Sequence, residues 1–141
     1  MAKKKIVLTY GTYDLITAGH IEHFRDAKAM GDYLIVGIST DEFNAIKHKR
    51  SYLNYEERKF IVESIKYVDK VIPETHWEQK PDDIKKYKVD VIVMGSDWEG
   101  DERFESLRKY CDVKYTHRPG KWSSTDFRKH VTEYTDSLEK K

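Results

Sequence analysis

The chain has one cysteine, three prolines and no long apolar run, and each scarcity narrows what it can be. Cys111 has no second cysteine among the 141 residues, which excludes an intrachain disulfide and favours a reducing compartment. Apolar runs such as residues 33–38 are far shorter than the roughly 18 residues of a membrane-spanning helix. The first run, residues 6–8, is also too short for a signal-peptide core of about 7–15 residues. We therefore expect a cytoplasmic protein without membrane insertion.

An excess of charge of one sign is also lacking. Lysine and arginine number 26 and aspartate and glutamate 25, for a net charge of +1. A surface built throughout for nucleic acid would carry a clear basic excess, so we expect no nucleic-acid partner. With 38% hydrophobic residues, a chain of 141 residues can bury one substantial core.

Short apolar runs alternate with helical patterns along the chain. Strands are predicted at residues 6–10, 33–38, 68–72, 89–94 and 113–115, and helices near residues 19–30, 54–65, 81–87, 103–110 and from Ser123 onward. This alternation predicts an α/β fold, a Rossmann-like three-layer sandwich with a mostly parallel five-stranded sheet. We expect one domain over residues 1–130, followed by a charged, frayed tail at residues 131–141.

Ligands of such sheets bind beyond the carboxyl ends of the strands, so the loops there matter most. The first loop reads G-T-Y-D-L-I-T-A-G-H, residues 11–20. Gly11 permits a close backbone approach, and Gly19 and His20 begin a helix whose unpaired N–H groups attract an anion. An ordinary N-cap at Thr17 followed by an unremarkable polar histidine is the alternative interpretation.

Further cations follow the other strands. Lys47, Lys49 and Arg50 come after the second strand, with Arg58 in the next helix, and Arg118 precedes a helix start at residues 123–125. Charged runs are usually solvated faces and serines usually plain N-caps. Two helix N-termini that converge with lysine and arginine nevertheless suit a polyphosphate.

Two of these segments carry a family resemblance. T-A-G-H, residues 17–20, resembles the (H/T)-x-G-H signature of the nucleotidyltransferase superfamily, and W-S-S-T-D-F-R, residues 122–128, resembles its I-S-S-T-x-x-R signature. From about residue 6 to residue 129 the chain is similar to the glycerol-3-phosphate cytidylyltransferases. The shared segments include T-Y-G-T-Y-D-L, Y-E-E-R-K, W-E-Q-K and M-G-S-D-W-E-G.

The resemblance implies transfer of CMP from CTP to sn-glycerol 3-phosphate by direct in-line attack, in a homodimer that contributes to teichoic acid biosynthesis. It implies Mg²⁺ held mainly by the CTP phosphates, with no protein side chain assigned as a metal ligand. His20 is the expected main stabiliser of the transition state, supported by Thr17, Lys49 and Arg118. The implied nucleotide-binding residues are Thr12, Tyr13, Thr17, Gly19, His20, Lys49, Arg118, Ser123, Ser124 and Thr125. Lys47 and Lys80 would bind the acceptor's phosphate, and Asp14, Arg58, Asp97 and Trp98 would support the site, Asp14 by orienting its neighbours.

Two departures from the family pattern leave alternatives open. Thr17 stands where these cytidylyltransferases usually have histidine, and R-P-G-K-W-S-S-T replaces R-T-x-G-I-S-T-T. A nucleotidyltransferase that uses ATP or another phosphorylated acceptor is one alternative. A nucleotide-binding module with weakened catalysis is the other. A flavodoxin-like carrier would share the strand–helix rhythm but not the basic loops.

Overall fold

Five strands and six helices make up the part of the chain described by the structure, a computed structural model. It describes residues 3–117 and 124–139, without the side chains of residues 124–127. The strands are β1 (Ile6–Gly11), β2 (Tyr33–Ser39), β3 (Lys70–Glu74), β4 (Val91–Gly95) and β5 (Asp112–Thr116). The helices are α1 (Ala18–Ala29), α2 (Asp41–Ile46), α3 (Tyr55–Glu63), α4 (Lys80–Tyr87), α5 (Glu102–Glu105) and α6 (Ser124–Glu139). Short 3₁₀ turns occur at Trp77–Gln79, Ser96–Trp98 and Ser106–Lys109.

The strands form a single sheet in the order β3-β2-β1-β4-β5, and every pairing is parallel. Successive side chains of a strand point to opposite faces, so Val7 joins the core shared with α1 and α3, whereas Leu8 joins the core shared with α4 and α5. Both faces are therefore covered, as near-continuous apolar strands require. The predicted α/β, Rossmann-like sandwich is confirmed, with a sheet that is parallel throughout the described strands.

Strand β3 continues through Pro73, where the sequence predicts its end. Pro73 pairs in register with Ile38 of β2. Since β3 is an edge strand, the missing N–H of proline can face away from the sheet at no cost in ladder hydrogen bonds. Helix α2 was not predicted, because six residues are too few to show a helical period. Its start is capped by Thr40, whose Oγ1 accepts from the Phe43 N–H at 3.1 Å.

The strand order places a crevice beside β1. The chain runs from β1 outward to β3 on one side and returns to build β4 and β5 on the other. The connections after β1 and β4 therefore diverge at the carboxyl edge, where α/β sheets bind ligands.

The C-terminal helix α6 is continuous to Glu139, so most of the predicted tail is helical, and its fraying stays a prediction. Within the described ranges, no helix combines the length and apolarity that crossing a membrane would require.

Candidate active site

A cavity of about 470 Å³ opens at this carboxyl edge. It collects eight of the residues that the family resemblance assigns to the site, namely Thr12, Tyr13, Asp14, His20, Lys47, Lys49, Asp97 and Trp98. It also includes Glu74, Trp77 and Arg128, for which the sequence predicts no individual role. Trp77 was detectable only as part of the W-E-Q-K resemblance, and Arg128 only as the last residue of the second signature.

The turn after β1 is held in an unusual backbone conformation. Tyr13 has φ of 52°, a left-handed value that side-chain-bearing residues rarely adopt. Its ring folds back over Gly11, where an added Cβ would come within 2.7 Å of the Tyr13 Cζ atom. The ring also packs on Phe24, with centroids 4.9 Å apart. Gly11 is therefore required for this packing.

His20 lies at the N-terminus of α1 with its ring orientation set by Thr17. The backbone N–H of Thr17 donates to His20 Nδ1 at 3.0 Å. Because Nδ1 accepts this hydrogen bond, the proton of the neutral imidazole lies on Nε2. His20 is buried yet lines the cavity. Its imidazole can therefore act as a positioned N–H donor to an anion at the helix N-terminus. Thr17 lies at the N-cap of α1 and acts on the site through this contact.

Arg58 joins three loops from a fully buried position. Its Nη1 donates to the Thr12 carbonyl at 2.9 Å and to the Ser39 carbonyl at 2.6 Å. Its Nε donates to the Leu53 carbonyl at 3.0 Å, and its Nη2 pairs with Asp41 at 2.7 Å. The guanidinium therefore holds together the ends of β1 and β2 and the start of α3. The predicted supporting role of Arg58 in the reaction stays a prediction.

Asp14 connects the turn after β1 to the segment that precedes α3 and to α6. Its carboxylate accepts from the backbone N–H groups of Tyr52 at 2.8 Å and Leu53 at 2.9 Å, and it also pairs with Arg128 of α6. Both carboxylate oxygens are thus used in protein contacts, although the residue borders the cavity. The arrangement favours the orienting role inferred for Asp14 over metal binding. It also positions the Arg128 guanidinium at the cavity.

Lys47 and Glu74, which both line the cavity, are linked by hydrogen bonds through Ser39. Lys47 Nζ donates to Ser39 Oγ at 2.8 Å, and Ser39 Oγ donates to Glu74 Oε1 at 2.9 Å. The other carboxylate oxygen accepts from Lys80 Nζ at 2.9 Å. Burial, together with the nearby cations Lys49, Lys80 and Arg58, lowers the pKa of Lys47 to about 8, although Glu74 opposes the shift.

Lys80 itself lies behind the wall rather than on it. Its side chain is only 2% exposed, whereas Lys47 and Glu74 face the cavity. The predicted contact between Lys80 and an acceptor phosphate stays a prediction.

Trp98 borders the cavity while its ring packs edge-on against Phe104, with centroids 5.1 Å apart. This position allows the ring either to stack on a base or to cover the core. Asp97 precedes it in the same 3₁₀ turn. Lys49 follows α2, where its backbone N–H donates to the Asn44 carbonyl at 2.8 Å, and its side chain is exposed at the cavity.

The remaining predicted residues divide into two groups. Gly19 lies in the first turn of α1, as expected. Arg118 and Ser123 fall outside the described residues, and Ser124 and Thr125 begin α6, with side chains that are likewise not described.

The donors of the cavity suit phosphate better than a bare metal ion. Across residues 3–117 and 124–139, no group of three or more His, Cys, Asp or Glu side chains is arranged to hold a metal. The cavity instead exposes the cations Lys47, Lys49, Arg50 and Arg128. Within those ranges the cavity offers an anion more partners than a metal ion, and the predicted Mg²⁺ stays a prediction.

Comparison with known proteins identifies relatives that act on nucleotides. A cytidylyltransferase-like family model matches residues 8–136. The chain is 57% identical over 127 residues to a glycerol-3-phosphate cytidylyltransferase from Staphylococcus aureus, covering 90% of this chain and 95% of the relative. It is 51% identical to the Bacillus subtilis glycerol-3-phosphate cytidylyltransferase, covering 90% of this chain and 97% of the relative.

Among solved structures, the lipopolysaccharide core biosynthesis protein from Thermoplasma volcanium superposes with a TM-score of 0.70 at 24% identity, covering 86% of this chain and all of that one. At this identity the likeness supports the fold alone.

Proposed function

The chain belongs to the cytidylyltransferase-like family, and we propose that it transfers CMP from CTP to sn-glycerol 3-phosphate, giving CDP-glycerol and pyrophosphate. The observation that carries this proposal is identity of 57% and 51%, over nearly the full length of both chains, to two glycerol-3-phosphate cytidylyltransferases. The cavity geometry is consistent with it, because cations and a helix N-terminus surround a space of suitable chemistry for two phosphorylated substrates.

The chemistry needs no protein nucleophile. A phosphate oxygen of the acceptor is already anionic at neutral pH and attacks the α-phosphorus of CTP, while the bond to the pyrophosphate oxygen breaks. The contribution of the protein is to position the two phosphates and to stabilise the charge that develops. No covalent intermediate on the chain is required.

His20 is suited to this stabilisation. Its Nδ1 accepts from Thr17 N–H, so Nε2–H is the donor that can meet a phosphoryl oxygen at the α1 N-terminus. Because Thr17 and the packing of Tyr13 fix the ring, it needs little reorganisation during the reaction. Removal of one such donor typically lowers kcat by about 10²–10³-fold.

The two substrates would occupy different walls of the cavity. The triphosphate would lie against the β1 turn and α1, with Lys49 and Arg128 beside it. The acceptor's phosphate would lie at Lys47, next to Trp77, which borders the cavity beyond Glu74. Arg118 and residues 123–125 would complete the nucleotide site, as the family resemblance implies.

Three further features belong to the proposal. Mg²⁺ would be carried by the CTP phosphates and would neutralise part of their charge. The protein would act as a homodimer in the cytoplasm, where CTP is available. CDP-glycerol would then supply teichoic acid biosynthesis.

Pyrophosphate release tests the proposal directly. The assay compares CTP with ATP, in the presence of Mg²⁺, with and without sn-glycerol 3-phosphate. We expect release that requires both CTP and glycerol 3-phosphate, and that falls about 10²–10³-fold in His20→Ala. His130→Ala is the matched control, because this histidine of α6 is about half exposed, with 54% of its side chain accessible.

Other results would point elsewhere. Release with ATP alone, or only with a different acceptor, would replace the proposed substrates. CTP binding in a titration without any turnover would support a nucleotide-binding module.

A further inference from the structure

The ammonium group of Lys80 lies in an enclosure of three aromatic rings and one carboxylate. Its Nζ is 4.7 Å from the ring centroid of Trp77, 4.8 Å from that of Tyr10 and 5.5 Å from that of Phe104. Glu74 Oε2 accepts from it at 2.9 Å. We call these four surrounding residues the ammonium cage. They resemble the aromatic cages with which proteins bind ammonium ligands.

The ammonium cage is also part of the wall of the active-site cavity. All four of its residues line the cavity, whereas the Lys80 side chain is only 2% exposed. Lys80 reaches the cage from the first turn of α4, directly after the 3₁₀ turn that carries Trp77. The chain therefore fills from behind a cation site that would otherwise be open to a ligand in the cavity.

We propose that Lys80 selects the acceptor by occupying this cage, so that the enzyme uses phosphates of uncharged polyols and rejects aminoalkyl phosphates. The inference rests on the proposed function, because it concerns the alcohol end of the acceptor. An ammonium group on the acceptor would find its aromatic and carboxylate partners already taken.

The charges of Lys47, Lys80 and Glu74 also disfavour an acceptor that carries an ammonium group. The buried Glu74 carboxylate is neutralised by Lys80, and Lys47 approaches it through Ser39 Oγ. A third cation at this wall would share one carboxylate with two lysines, which is unfavourable in a buried setting. A neutral hydroxyl needs only an acceptor atom, and Glu74 retains lone pairs beyond its two hydrogen bonds.

Two substitutions of Lys80 distinguish the effect of filling the cage with a side chain from the effect of the positive charge of Lys80. Lys80→Ala removes the ammonium and leaves space beside Glu74. Lys80→Met removes the charge but keeps a side chain of similar length in the cage. Pyrophosphate release from CTP is measured for each variant with sn-glycerol 3-phosphate and with ethanolamine phosphate. The readout is the ratio of the two kcat/KM values.

In Lys80→Ala we expect this ratio to shift at least about tenfold toward ethanolamine phosphate relative to the wild type, the effect of a desolvated cation in an aromatic cage. Lys80→Met should show no such shift, because a side chain of similar length still fills the cage. Equal losses with both acceptors in Lys80→Ala would overturn the proposal and assign Lys80 to the phosphate that the acceptors share.

Thermal unfolding tests the cage without relying on turnover. Propylammonium chloride should raise the Tm of Lys80→Ala, because the added cation can replace the missing ammonium, and should leave the wild type and Lys80→Met unchanged relative to potassium chloride at the same ionic strength. A Tm of Lys80→Ala that does not respond, or a variant that stays unfolded in propylammonium while Lys80→Met folds, would contradict the proposal.

The two readouts also separate this proposal from the proposed function. A wild type without pyrophosphate release, combined with a Tm response in Lys80→Ala, would refute the reaction while retaining the cage.

Discussion

Replacement of Arg58 by lysine should disorganise the active site, because one guanidinium holds three of its loops. Arg58 is fully buried and donates to the carbonyls of Thr12, Ser39 and Leu53. Lysine keeps the positive charge but lacks the planar fork that reaches several acceptors at once.

The size of the effect follows from the groups left without a partner. A lysine ammonium that keeps the pairing with Asp41 would leave about two of these three carbonyls unsatisfied, at about 1–3 kcal/mol each; the Ser39 contact is buried, and the Thr12 and Leu53 contacts are partly buried. We therefore expect a loss of about 3–5 kcal/mol in the free energy of unfolding. For a domain of this size that corresponds to a fall in Tm of about 10–15 °C.

Circular dichroism during heating measures this change. Arg25→Lys is the control, since Arg25 is 55% exposed and pairs only locally with Asp26 among the described ion pairs. Exposed substitutions of this kind usually change stability by less than about 0.5 kcal/mol. A fall in Tm of less than about 3 °C for Arg58→Lys would refute the reasoning, because it would mean that the three carbonyls find other partners.

Three further predictions concern charge at the site. The pKa of Lys47 is lowered to about 8 by burial, so its charge is present below that pH and is lost above it. Therefore kcat/KM for the acceptor should fall about tenfold between pH 7 and pH 9, and Lys47→Arg should abolish the fall in a pH profile. Asp14→Asn should lower the free energy of unfolding by about 2–3 kcal/mol, because an amide nitrogen would face an N–H donor; a denaturant titration with an unchanged midpoint would count against this. Chelation of Mg²⁺ should stop pyrophosphate release but leave the Tm of the nucleotide-free protein unchanged, since no protein cage for the ion is expected; a lower Tm would indicate a resident metal.

The sequence supported the fold because the relevant signals are local. Each strand appears as a short apolar run, and each main helix begins near a recognisable start such as Asn54, whose side chain accepts from Glu57 N–H at 2.9 Å. Alternation of such elements leaves few topologies other than a parallel sheet. Errors arose where local rules depend on position in the sheet, as at Pro73, which is acceptable only because β3 lies at an edge.

The part of the site proposed to bind phosphate was also accessible from the sequence. Gly11, Gly19 and His20 lie within one turn of chain, and helix N-termini bind anions by a mechanism that requires no distant partner. The carboxyl ends of parallel strands share one edge of the sheet, so the loop that carries Lys47 and Lys49 was expected to lie at the same cavity.

Only the tertiary structure decided which charges meet. Asp14 and Arg128 are 114 residues apart in the chain, yet they form an ion pair. Lys80 and Glu74 are close in sequence, but their burial among the rings of Tyr10 and Phe104 depends on the order of β1, β3 and β4 and on where α5 packs. Spacing along the chain carries information about local backbone conformation, whereas the pairing of side chains from different strands and helices is set by the arrangement of the sheet.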